Sequence, residues 1–333
     1  MTGIRTAATF ALLGAMAFLS GCSNSSGSTA VAPSVLSPIH PVSQMRTETS
    51  FYNCPAHGGL KYVSDYNNNA IDIYAGNFNR QAPCGVLTSH VSAPWGMSVD
   101  AATHDLYVAN DGHHNVIVFH RGQTMPYDTY TDPTGQDPVD VVLAADGTVI
   151  ASNLVRENLL EDGSLSTWTA GPNGGSFVGN FAMPTGGVGQ FLAVRGDGTV
   201  FFDKLEGQTD TGSLWSVSCP AGACGSMTEV IGATLAGPTG VAFDSSGDLR
   251  LDEAGAGLAD TFELPRTRAK SFQVMGAPTG LAINEFEHHW FIADGLDNQA
   301  EEYLYPGGTL IGVVPGNPGG GTFGVAVDPD RLR

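Results

Sequence analysis

One phrase recurs six times along this chain, a short β-rich run that ends in Asp, Asn or Glu. It reads Lys61-Tyr62-Val63-Ser64-Asp65, Tyr107-Val108-Ala109-Asn110, Ile150-Ala151-Ser152-Asn153, Val200-Phe201-Phe202-Asp203, Leu249-Arg250-Leu251-Asp252-Glu253 and Phe291-Ile292-Ala293-Asp294. Successive copies lie roughly 40 to 50 residues apart, the period at which a chain supplies one propeller blade after another. The repeat therefore predicts an all-β architecture of stacked four-stranded units.

The fifth repeat shows the unit most clearly. Gly240-Val241-Ala242-Phe243-Asp244 is an apolar first strand, and Ser245-Ser246-Gly247-Asp248 turns the chain into the second, Leu249 to Asp252. Thr261-Phe262-Glu263-Leu264 and Ser271-Phe272-Gln273-Val274 read as the third and fourth. Asp146-Gly147-Thr148 and Asp197-Gly198-Thr199 repeat the turn signal, a favoured hairpin dipeptide. Pro94, Pro138, Pro238 and Pro278 precede first strands, where a proline costs no ladder bond; blade four has Gly189-Gln190 there instead. The 44 Gly and 19 Pro fit many short strands joined by tight turns.

The first repeat lacks an innermost strand upstream of Leu60. A copy stands at the other end of the chain, where Phe323-Gly324-Val325-Ala326-Val327-Asp328 matches Trp95-Gly96-Met97-Ser98-Val99-Asp100. The expected fold is a six-bladed β-propeller of four-stranded antiparallel blades. Its C-terminal strand completes blade one and hides an edge that would otherwise invite aggregation.

The phrases Leu106-Tyr107-Val108-Ala109-Asn110 and Pro278-Thr279-Gly280-Leu281-Ala282-Ile283 resemble NHL-repeat and SMP-30/gluconolactonase-like six-bladed propellers, over roughly residues 52 to 330. The resemblance implies a divalent metal held near the channel mouth by Asn, Asp and Glu, some in Pro-Asn-Gly or Pro-Asp-Gly phrases. The corresponding phrases here are Pro94-Trp95-Gly96, Pro238-Thr239-Gly240 and Pro278-Thr279-Gly280. Across the blades the mouth is expected to carry Trp95, Val139, Gln190, Thr239, Thr279 and Phe323, with His113 in a nearby loop. Two aromatics, two hydroxyls, an amide and a valine make a poor metal cage. No cofactor is expected; Ca²⁺ or another divalent metal is the alternative.

Asp65, Asn110, Asn153, Asp203, Glu253 and Asp294 form a ring by construction, one per blade. An oxygen-rich ring suits Ca²⁺, but these residues end second strands, and each strand step moves outward by about 4.8 Å. That is too wide for convergence on one ion. The residues are read instead as structural caps that bond the following loop. His113-His114 and His288-His289 are adjacent pairs that would point to opposite faces of a strand. HExxH, GxSxG and Walker signatures are absent, and Lys61, Lys204 and Lys270 are the only lysines.

The ends and the charge bound the setting. Residues 1–21 read as a lipoprotein signal peptide, with an apolar stretch from Ala7 to Leu19 and a lipobox-like Leu19-Ser20-Gly21-Cys22 that makes Cys22 the lipid attachment site. Residues 22–50 form a Ser/Thr/Pro-rich tether, and 51–333 the propeller. Ser23 after the cysteine suggests the outer rather than the inner membrane, facing the periplasm or the surface. Fourteen Lys and Arg stand against 33 Asp and Glu; such a surface repels phosphate backbones, so nucleic acid is not an expected partner. The remaining cysteines predict disulfides Cys54–Cys84 and Cys219–Cys224. Two functions stay open: a monomeric, non-enzymatic module for a protein or glycan ligand, or a metal-dependent lactonase with an altered ligand set.

Overall fold

A computed structural model describes residues 49–328, apart from 57–58, 79–81, 155–162, 172–173, 186, 207–210, 264–266, 285–287 and 318. The signal segment, Cys22 and most of the tether lie outside the described residues. The hydrogen-bonded fold begins at Ser50, whose hydroxyl meets those of Thr88 and Ser89. Among the described residues no helix is long and apolar enough to cross a membrane.

Six antiparallel sheets make the six blades. Blades two to six use consecutive strands, innermost first: Pro94–Val99, Asp137–Leu143, Gly187–Val194, Pro238–Phe243 and Pro278–Asn284 open them in turn. Val325–Asp328 supplies the innermost strand of blade one and pairs antiparallel with Leu60–Asp65, Leu60 opposite Asp328. It is two residues shorter than its sequence match, because Phe323 and Gly324 donate their N–H groups to the Ser64 hydroxyl instead. Blade one also gains a short fifth strand, Phe51–Tyr52, outside Gly85–Leu87. The Cys54–Cys84 disulfide sits beside it, and Cys219–Cys224 closes the loop after Gly212–Ser218.

The second strands are buried on both faces, as Leu60–Asp65, Leu106–Asn110, Leu249–Glu253 and His289–Asp294 show at every residue. Each is covered by the flanking blades, so even its polar residues, such as Lys61, Arg250 and Asp252, are buried. Outer strands such as Ser176–Ala182 face water and alternate. In blade five the third strand begins at Leu258, three residues before the expected Thr261, and the fourth spans Thr267–Gln273 rather than starting at Ser271. The third strand's early start takes in Asp260, a carboxylate that signals loop in sequence yet is fully buried in the strand.

The innermost strands pack unusually close. A Cβ on Gly324 would stand 2.2 Å from the Trp95 carbonyl, and one on Gly280 would stand 2.6 Å from that of Phe323. These glycines let the backbones of blades six, one and two meet around the axis.

Candidate functional site

The innermost strands begin at one end of the axis, the mouth, and five of the six are irregular there. Pairing skips at Trp95–Gly96, Val139, Gln190–Phe191, Thr239 and Thr279. Such bulges re-aim side chains, and in blades five and six they turn the threonine toward the next blade. The Thr239 hydroxyl donates to the Pro278 carbonyl at 2.7 Å, and that of Thr279 lies 2.9 Å from the Thr322 carbonyl. Both threonines and Val139 are buried. Gln190 is partly exposed, and its carbonyl accepts from the Ser152 hydroxyl. Of the residues assigned to the mouth, the two threonines clasp the next blades, while Trp95 and Phe323 are partly exposed.

The ring centroids of Trp95 and Phe323 lie 5.1 Å apart. Tyr66, from the turn after Leu60–Asp65, stands edge-on to both, at 5.6 and 5.3 Å. Sequence reasoning missed Tyr66; its one signal is its place directly after the repeated phrase. The Tyr66 hydroxyl donates to Asp111 at 2.9 Å. Asp111 opens a single 3-10 turn, Asp111–His113, and His114 behind it pairs with Asp137 of blade three. Burial pushes the Asp111 carboxyl up to about 6, with Asp137 adding to the shift and the Tyr66 hydroxyl opposing it. His113 is exposed, its Nδ1 3.2 Å from the His90 carbonyl.

Trp95 also packs across the axis against the cluster around Phe191 and Val241. Its indole nitrogen is buried and has no hydrogen-bond partner. The mouth thus offers an aromatic patch, a carboxyl of near-neutral affinity for protons, and an unused donor. It does not fit the divalent metal that the resemblance implies: both threonine oxygens are committed to carbonyls, and among the described residues no three His, Cys, Asp or Glu converge as a metal site.

The second-strand ring is bonded into the scaffold. Asn110, Glu253 and Asp294 accept the N–H groups of Ser92, Ala236 and Ala277, in the loops leading into their own blades' first strands. Asp294 also accepts from Leu296 and Asp297 in the following loop. Asp203 receives Gln190 and Phe191, while Asp140 of blade three receives Leu192 at 2.8 Å. Two carboxyls thus hold three consecutive N–H groups of blade four, where the proline is missing. Asp65 bonds Asn68 and Asn317, and Asn153 donates to Ser166.

No protein-family model matches the sequence, and no curated protein does. Solved structures do. A chain of the nidogen/laminin complex superposes with a TM-score of 0.64 at 12% identity, covering 83% of this chain and 100% of that one. A streptogramin B lyase gives 0.53 at 12%, covering 84% and 90%. A structure provisionally described as a gluconolactonase gives 0.50 at 15%, covering 69% and 80%. At these identities the likeness is one of fold, and the chain is a six-bladed β-propeller built like these NHL-type, lyase and SMP-30-like structures.

Proposed function

We propose that this protein is a lipid-anchored binding propeller of the cell envelope that takes a glycan or protein ligand at its mouth. The observation that carries the reading is the cluster of Tyr66, Trp95 and Phe323 beside Asp111, at the place where an SMP-30-like lactonase would hold its metal. Aromatic faces supply contact area at little entropic cost, and nearby polar groups supply orientation. Exposed Leu296 and Met275, on the loops of blade six at the same end, extend the apolar surface. The lyase and gluconolactonase folds keep an enzymatic alternative in play; turnover of a lactone by the purified protein would replace this proposal.

A glycan array followed by calorimetry tests the binding claim. Trp95→Ala should weaken the best ligand at least tenfold, about 1.4 kcal/mol. A stability loss with unchanged affinity would mean that the rings only plug the axis. The anchor is tested separately. Cys22→Ser should move the protein from the membrane to the soluble fraction or leave it uncleaved, and unchanged partitioning would refute the lipid attachment.

A further inference from the structure

Behind the aromatic mouth the axis widens into a cavity of about 220 Å³, walled by the innermost strands of all six blades. Its far rim consists of Val99, Val194, Phe243, Ile283 and Val327, all partly exposed at the end opposite the mouth. Among the lining residues Asp140 is the only ionisable one, so no lysine, arginine or histidine of the wall answers its charge. Its carboxyl lies against Gly96, where a Cβ would stand 2.1 Å from Oδ1, while Oδ2 accepts the Leu192 N–H. Ser98, also in the wall, keeps a buried hydroxyl with no partner. The cavity therefore pairs apolar walls with one seated carboxyl and one unused hydroxyl.

We propose that this cavity is a binding site for a small primary amine with a short apolar chain, entering from the end opposite the mouth. The ammonium would meet the Asp140 carboxylate and donate to the Ser98 hydroxyl. The chain would lie along Val194, Phe243, Ile283 and Val327. The size fits: an apolar cavity of roughly 150 Å³ takes benzene, so this one takes a molecule about half again as large. The chemistry also fits, because a buried carboxylate is costly until a cation of matching geometry reaches it. Burial holds the Asp140 carboxyl up to about 8 against the Leu192 and Val141 N–H groups, so it carries a proton at neutral pH. Forming the ion pair then releases that proton to the buffer. The site is separate from the mouth and stands or falls without it.

Calorimetry on the purified protein with n-hexylammonium, n-hexanol and hexanoate decides the matter. Hexylammonium should bind at least tenfold more tightly than hexanol, and hexanoate should not bind. Asp140→Asn should erase the preference for the amine. Should that variant not fold, the wild type still answers: titrations at pH 6.5 in buffers of different ionisation enthalpy should report release of about one proton per amine bound, and almost none at pH 9. Equal binding of amine and alcohol, no binding of either, or binding without proton release would overturn the proposal.

Discussion

Deleting residues 322–333 should lower the melting temperature by more than about 10 °C or prevent folding altogether. The segment supplies the central strand of blade one, whose ladder to Leu60–Asp65 runs from Val63–Val325 to Leu60–Asp328. Val325 and Ala326 are buried, and Asp328 accepts hydrogen bonds from His104 and Arg121 of blade two. Thr322 joins the same segment to blade six through Thr279. Burying a handful of apolar side chains at about 1.5 to 3 kcal/mol each makes the loss several kcal/mol. A domain of this size shifts by about 2–4 °C for each kcal/mol. A truncated protein melting within about 3 °C of full length would refute the view that this strand closes the ring.

The second large effect is a loss of stability as pH rises. Blades four to six hold carboxyls that face one another across their packed faces. Asp252 is fully buried, both its oxygens lack partners, and its charged neighbours are Asp260 in its own blade, Glu301 in blade six and Asp203 in blade four. Burial raises the Asp252 and Asp203 carboxyls well above the ordinary range. Burial also lifts Glu253 and Glu301 to about 7. Arg268 answers part of this charge through Glu253 and Asp260. Unfolded carboxyls hold protons only below about pH 4, so between pH 5 and 8 the folded chain binds more protons than the unfolded one. Stability from these groups is complete in acid and is lost as pH climbs through their folded values, at about 1.4 kcal/mol per pH unit for each such proton. The melting temperature should therefore fall by at least about 10 °C between pH 5.5 and 8.5. Asp252→Asn should raise it at pH 8.5 and flatten the profile. A pH-independent melting temperature, or destabilisation by Asp252→Asn at pH 8.5, would show that the cluster carries no such load.

This acidic cluster marks the boundary of what sequence alone conveyed. The six copies of the phrase, the prolines before the first strands and the C-terminal copy at Phe323–Asp328 were legible because ring closure depends on backbone pairing and on which runs are apolar. Those are local and repeat at a fixed period. Both disulfide partners could be named for the same reason, since each pair closes a nearby loop. The burial of Asp252 and Asp260 was not legible, because a carboxylate looks like a turn residue until the flanking blades cover it. Tyr66 carries no sequence signal beyond its place after the repeated phrase, and only ring closure brings it against both Trp95 and Phe323. The mouth shows the division most directly. Position in the repeat puts Trp95, Val139, Gln190, Thr239, Thr279 and Phe323 at comparable points, but all except Phe323 fall where the strand pairing skips, and Thr239 and Thr279 turn toward the next blade. There a threonine hydroxyl finds a carbonyl within reach and disappears into the blade interface. A tryptophan or phenylalanine is too large to follow and stays at the surface. Sequence determined the blades and their order, whereas side-chain size measured against the next blade, a purely tertiary quantity, decided which residues a ligand can meet.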